Sequence, residues 1–337
     1  MVSMKTIAEL CGVSVATVSK ALNGQKDISE ETRKLIRAKA DELGYMTNSA
    51  ARMLKTNRSY NLGVLFEDEG GRGLTHEFFA SVLEGFKAEA VANGYDITFI
   101  SRSLMNRSSG YLQHCKYRGF DGVGIICVDF FDKDVQELVR SDIPVATVDH
   151  TFDGHASVVS DNIDGLDALV RYAYGKGHRK IAYIHGENTA VTCNRLAGYY
   201  NACENLGLQI REEYIKSAHY YDADSAYTAA SELISMADRP TCIIFPDDFG
   251  VIGGIRAIKD AGLRLPEDIS VMGYDGIVVS QVMSPRITTY RQNARLIGST
   301  AAAKLIEAIG HPDSSVTGRI VISGELVEGE SVGTLPE

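Results

Sequence analysis

Apolar residues follow two different rhythms along this 337-residue chain, and the change falls near residue 60. In the first segment the spacing is helical and short. Ile7, Ala8 and Cys11 stand at i, i+1 and i+4, one face of a helix. Gly12 interrupts it, and glycine tolerates the positive φ of a sharp turn. Val13 plugs the core under that turn. Ser14 is an N-cap for a second helix in which Val18, Ala21 and Leu22 point inward. After a loop from Gln25 to Ile28, Ser29 caps a third helix whose first turn holds Glu30 and Glu31, suited to the positive helix end. It runs to about Leu43 with Thr32, Leu35, Ile36, Ala40 and Leu43 on one face, and Gly44 follows its end.

From Leu62 onward the pattern becomes continuous apolar runs alternating with amphipathic stretches. Leu62–Phe66, Ile97–Ile100, Val123–Val128 and Val145–Val148 read as strands buried on both faces, as in parallel sheets. The stretch from Phe78 to Asn93 has helical spacing and ends at Gly94. The series restarts at Asp161. Helices are predicted at Leu166–Tyr174, Arg195–Leu206, Ala223–Met236 and Gly250–Ala261, and strands at Ile181–Ile184, Cys242–Phe245 and Ser270–Tyr274. The length suits one small head and two α/β lobes.

Charge separates the same two parts. Residues 1–60 hold ten Lys and Arg against six Asp and Glu, leaving 24 against 38 for the rest, within totals of 34 and 44. A basic head on an acidic body suggests that the head meets phosphate and the body does not. Two short helices joined by a Gly turn occur in many α-rich proteins. The outward residues of the second helix, from Val15 to Lys20, are equally free to meet a major groove.

The strings TIAELCGVSVATVSKALNG, ISEETRKLIRAKADELGY and NSAARMLKTNRS, taken in order, resemble the lactose-repressor/galactose-repressor (LacI/GalR) family of bacterial transcription regulators. The resemblance covers essentially the whole chain. It implies an α/β fold: an N-terminal all-α helix-turn-helix head, then a two-lobed periplasmic-binding-protein-like core with parallel sheets flanked by helices. The implied divisions are a DNA-binding domain at 1–47, a hinge helix and linker at 48–61, and an effector-binding core at 62–337. Within the core the N-lobe takes about 62–161 plus 292–320, and the C-lobe about 162–291 plus 321–337. Val15, Ala16 and Lys20 match base-reading positions: Lys20 can donate to guanine, whereas Val15 and Ala16 offer only apolar contact. Thr6, Ser14, Thr17, Ser19 and Asn23 match phosphate-holding positions. Asn48, Ala51, Arg52, Leu54 and Lys55 fall in the hinge segment, with Leu54 at the place of a minor-groove wedge. The proline of the family's YxPN string, two residues after its Tyr, is Thr47 here, which leaves the hinge start less stiff.

Ligands of open α/β sheets sit at the carboxyl ends of the strands. Reading those ends gives Phe78 and Phe79, Asp149, Asp161, Arg195, Tyr221, Asp247 and Asp275 as candidates. Carboxylates, an Arg and aromatic rings make a kit for a polyhydroxyl ligand. Arg195, Asp247 and Asp275 match effector-holding positions of the family; Phe78, Phe79 and Tyr221 match positions that often stack on the effector. Asp149 and Asp161 could equally cap helices or close the lobes, and Asp275 in GYDG could cap a turn. His76 and Glu77 read as loop residues. The family's Asn-Asp pair is Asp247-Asp248 here, an amide exchanged for an acid.

Other chemistries find little support. The six cysteines show neither CxxC nor zinc spacing, so no metal and no cofactor is expected. There is no secretory h-region and no run of 18 apolar residues, which suggests a cytoplasmic protein with reduced thiols and no membrane partner. GxxxxGK[ST] and GxSxG are absent, and paired carboxylates serve a sugar binder as well as a glycosidase, so no enzyme is expected. The expected protein is a repressor of carbohydrate utilisation genes. As a homodimer it reads pseudo-palindromic double-stranded operator DNA and answers to a small-molecule effector, a sugar or sugar derivative. Alternatives are a non-sugar effector such as a purine, or a sugar-binding protein without DNA function.

Overall fold

The computed structural model describes residues 2–22, 25, 27–45, 58–68, 71–104, 107–108, 110–311 and 318–336. The chain forms two compact units that divide between Tyr60 and Asn61. Among the described residues no helix is long and apolar enough to cross a membrane.

Among its described residues the first unit forms three helices: α1 (Met4–Cys11), α2 (Val15–Leu22) and α3 (Glu30–Glu42). Ile7, Ala8, Val18, Ala21, Ile36 and Ala40 are buried together. The same device opens each helix. The hydroxyl oxygens of Ser3, Ser14 and Ser29 accept from the amides of Thr6, Thr17 and Thr32 at 3.3, 3.1 and 3.2 Å. Each satisfies an amide that has no partner within its helix. Gly12 at φ 65° ends α1, and Val13 N donates back to Ala8 O at 3.0 Å. Gly44 at φ 60° closes α3 in the same way, with Tyr45 N on Ala40 O. Leu35 departs from the reading above: it is 53% exposed. The buried stripe descends through Ile36 and Ala40, four residues apart, and Leu35 lies off it.

The second unit holds two six-stranded sheets. The first is built from β1 (Asn61–Phe66), β2 (Asp96–Phe99), β5 (Gly122–Cys127), β6 (Val145–Val148), β7 (Ala156–Ser160) and β13 (Gly318–Ile322), in the order β13-β7-β6-β5-β1-β2. All its pairings are parallel. The second uses β8 (Ile181–His185), β9 (Ile215–Ser217), β10 (Cys242–Ile244), β11 (Ser270–Asp275), β12 (Thr288–Arg291) and β14 (Glu325–Val327), ordered β14-β12-β11-β10-β8-β9. Among its described strands only β14 runs antiparallel. A two-stranded hairpin pairs β3 (Ser103–Leu104) with β4 (Arg107–Ser108).

The chain passes from the first sheet to the second after β7, returns for the helix Ala294–Gly310 and β13, and leaves again for β14. The expected return at 320 falls inside β13, so the last crossover follows Ile322. β3, β4, β7, β9, β12, β13 and β14 lie outside the runs read as strands in the sequence. The helix expected from Arg195 begins earlier, at Ala190, because Thr189 caps it with a hydrogen bond from Thr192 N.

Three helix pairs pack through glycine against backbone. A Cβ on Gly298 would lie 1.8 Å from Val82 O, and one on Gly85 2.1 Å from Arg295 O. These join the helices Glu77–Ala92 and Ala294–Gly310. Gly253 meets Ala223 O, and Gly198 meets Ile163 O, at equivalent crossings in the second lobe. Glycine at these points lets the helix axes approach more closely than any side chain permits.

Candidate functional site

A cavity of about 380 Å³ opens between the two lobes at the carboxyl ends of their strands. It is lined by Phe78, Phe79, Asp149, Arg195, Tyr221, Asp247 and Asp275 from the expected set. Asp161 is not among its lining residues. Its carboxylate caps the helix Asn162–Gly175 by accepting from Asp164 N at 3.2 Å, and its own amide donates to Ile322 O. The neighbouring Asn162 reaches the site instead, through Arg195.

Arg195 organises the floor and is 4% exposed. Its Nε donates to Asn162 Oδ1 at 2.8 Å, and Nη1 donates to Pro246 O at 2.7 Å. Nη2 stands 3.8 Å from Asp275 Oδ1. The guanidinium lies 3.6 Å over the Tyr274 ring, so a buried cation is met by amide, carbonyl, carboxylate and π-face together. Gln292 Nε2 donates to Asp275 Oδ1 at 2.6 Å. Burial pushes the Asp275 and Asp149 carboxyls above the usual carboxylate range, opposed in both by the nearby Arg195 charge.

Asp247 and Asp248 divide their labour. Asp247 caps the helix Asp248–Asp260 through Gly250 N at 2.7 Å and accepts from Tyr221 N at 2.6 Å, so it fixes the Tyr221 backbone at the cavity wall. Asp248 turns away and is fully buried. It accepts from Ile277 N at 2.8 Å and from Thr289 Oγ1 at 2.6 Å, tying three segments of the second lobe together. The acid that departs from the family's pair is therefore the one that reaches the cavity.

Backbone strain concentrates here. Asp149, Tyr221 and Asp275 adopt φ of 59°, 57° and 100°. They are the described non-glycine residues of the second unit with positive φ, and all three line the cavity. A bulky tyrosine in this region is uncommon, and each such residue costs of order 1–3 kcal/mol.

His76 and Glu77, read above as loop residues, form a cross-lobe clasp. The His76 ring stacks on Tyr221 at 4.1 Å between centroids. Val278 N donates to Glu77 Oε1 at 2.8 Å, and Glu77 N donates to the Tyr221 hydroxyl at 3.4 Å. Burial lowers the His76 pKa, against the nearby Asp247 and Asp68 charges, and so favours the neutral form of the stacked ring. Gln292, Tyr220, Phe130 and His150 also line the cavity without having been singled out.

Burial, and next the Asp275 carboxylate, push the Asp247 pKa up to about 6, against its two backbone donors. Its folded pKa thus exceeds the ordinary value of 3.8. The resulting stabilisation is complete below that ordinary value and is lost as pH rises through about 6. Relative to Asp247→Asn, the wild type should lose about 2–3 kcal/mol between about pH 4 and pH 7. Paired urea titrations across that range test this, and parallel stability profiles would contradict it.

In the head, Ser14, Val15 and Ala16 are exposed, while Thr6, Thr17, Ser19 and Lys20 are half-buried. The hydroxyls of Thr6 and Thr17 bond the capping serines at 3.0 and 2.9 Å. Lys20 Nζ donates to Asp27 Oδ2 at 2.5 Å. Asn23, Asn48, Ala51, Arg52, Leu54 and Lys55, with Thr47, lie outside the described residues.

Residues 3–48 match the family of bacterial regulatory proteins, lacI family, and residues 170–332 match the periplasmic binding protein-like domain. The chain is 31% identical over 318 residues to the HTH-type transcriptional repressor PurR of Photobacterium profundum, with 92% of each chain covered. It is 30% identical to that of Vibrio vulnificus over 92% of each. Among solved structures, the lac repressor dimer bound to operator and the anti-inducer ONPF superposes with a TM-score of 0.79, at 25% identity over 98% of this chain and 99% of the other. A transcriptional regulator CelR–cellobiose complex shares the fold with a TM-score of 0.72, at 24% identity over 98% and 100%. The two PurR relatives are transcriptional repressors. The chain belongs to the LacI family and is a ligand-responsive DNA-binding repressor.

Proposed function

We propose that the effector is a neutral carbohydrate, held in the interlobe cavity, and that the genes controlled serve carbohydrate utilisation. The observation that carries this reading is the convergence of Asp149, Asp275 and Arg195 beside aromatic walls. Carboxylate and guanidinium groups pair with vicinal hydroxyls, and the rings cover the apolar face of a pyranose. Among the described lining residues seven are acidic, against two arginines, which disfavours an anionic effector. The volume lies within the range of small-molecule sites. A purine base is the second reading, favoured by the PurR relatives; it would stack on the same rings and use Arg195 and Asp275. Isothermal calorimetry with a sugar panel and a purine panel decides between them. Heat with purines alone overturns the carbohydrate reading.

The effector acts by binding one lobe arrangement better than another. The clasp of His76 and Glu77 with Tyr221 and Val278 is an element that such a rearrangement must make or break. The proposal extends to DNA. Thr6, Ser14, Thr17, Ser19 and Asn23 hold phosphate, and Val15, Ala16 and Lys20 read bases. Asn48, Ala51, Arg52, Leu54 and Lys55 act in a hinge over 48–61, in a homodimer on a pseudo-palindromic operator. To read a base, Lys20 must leave Asp27. Lys20→Ala should cost about 1–3 kcal/mol of discrimination between operator and random DNA. Equal weakening on both DNAs, measured by fluorescence anisotropy, would make Lys20 a phosphate contact.

A further inference from the structure

We infer that the mouth of the cavity is a second sugar-ring subsite, with Phe131 as its stacking face. This rests on the carbohydrate reading and adds that the effector has at least two rings. Phe131 is 80% exposed, yet it lines the cavity and belongs to a built aromatic cluster. Beneath it, Phe130 and His150 stack with centroids 4.4 Å apart and planes within 8°. Phe152 braces His150 from behind at 4.6 Å. Phe131 meets His150 edge-on, at 5.8 Å and 83°, so it is buttressed through an edge contact while most of its surface faces solvent.

The backbone that presents it is fixed. Phe131 N donates to Asp129 Oδ1 at 2.9 Å, and Gln136 Nε2 donates to Phe130 O at 2.8 Å. Asp132 caps the next helix through Asp134 N at 2.8 Å. An apolar ring presented to water at the entrance of the cavity is a platform for a partly apolar ligand. The other lobe lines the same mouth with exposed Glu187, Asn188 and Thr189. An aromatic wall on one side and polar groups on the other match the two aspects of a pyranose ring. The floor groups Asp149, Arg195 and Asp275 already serve the first ring, so the platform extends the site outward.

Calorimetry on the full chain tests this with glucose, galactose, cellobiose, maltose and lactose against wild type, Phe131→Ala and Phe131→Trp. A disaccharide should bind wild type more tightly than its component monosaccharides. Phe131→Ala should weaken that disaccharide about three- to tenfold and leave the monosaccharides unchanged, and Phe131→Trp should restore it. Because Phe131 is exposed, circular dichroism of the alanine variant should match wild type. Equal loss for mono- and disaccharides, no loss at all, or disaccharides binding no more tightly than monosaccharides overturns the second subsite alone. No heat with any sugar overturns the carbohydrate reading as well.

Discussion

Arg195→Ala is expected to abolish the effector response and to lower the stability of the second unit by about 3–5 kcal/mol. Truncation strands four partners at once. Asn162 Oδ1 and Pro246 O lose their donors, Tyr274 loses the cation over its face, and the nearby Asp275 carboxylate loses its counter-charge. An unpartnered buried group costs its full desolvation, which exceeds the net value of the bond it had made. Arg195→Lys should recover only part of the loss. Nε and Nη1 serve acceptors on different segments, and a single ammonium cannot reproduce that fork. Urea unfolding measures the stability, and operator mobility shifts with and without effector measure the response. Where the variant remains folded, operator binding without effector should persist. A stability within about 1 kcal/mol of wild type would show the buried network to be dispensable.

Gly298→Ala should destabilise the first lobe by about 3 kcal/mol or more, at the upper end of overpacking costs. The added methyl would sit 1.8 Å from Val82 O and 2.8 Å from Phe86 N, both backbone atoms that cannot rotate aside. The two helices would have to separate along their contact. Gly310→Ala is the control. It lies at the end of the same helix, and a Cβ there meets nothing within 4 Å. It should be neutral or stabilise by up to about 1 kcal/mol, because it removes glycine's backbone freedom in the unfolded chain. Urea midpoints of the two variants compare directly. Equal values would mean that the close crossing carries no energy.

The strands that were readable in the sequence are the ones with continuous apolar runs, such as Leu62–Phe66 and Val123–Val128. β7 and β13 escaped because serine interrupts Ala156–Ser160 at Ser157 and ends it at Ser160, and because β13 is an edge strand with exposed residues. Edge strands need not be apolar on both faces. The strand-end rule brought out Asp149, Arg195, Asp247 and Asp275, since a parallel sheet aims its carboxyl ends at one crevice. It misplaced Asp161, because a carboxylate before a helix caps as readily as it binds, and spacing does not separate the two uses. Leu35 was misassigned within a real helical stripe, one residue from the buried Ile36. Gln292 escaped because it acts through Asp275, and Phe130 and His150 because they meet only when two loops of the first lobe come together. Positive φ at Tyr221 leaves no mark in sequence, since tyrosine is not a residue that advertises it.

The route of the chain bears on how the protein emerges from the ribosome. The first sheet is closed at one edge by β13, and the close helix crossing beside it needs Gly298. Both arrive after every strand of the second sheet except β14. Domains tend to fold in the order of their synthesis. Here the lobe that starts first must wait, its apolar surface uncovered, until residues near 320 are made, while most of the later lobe can assemble ahead of it. During that interval the earlier lobe is the part most exposed to aggregation and to chaperone capture.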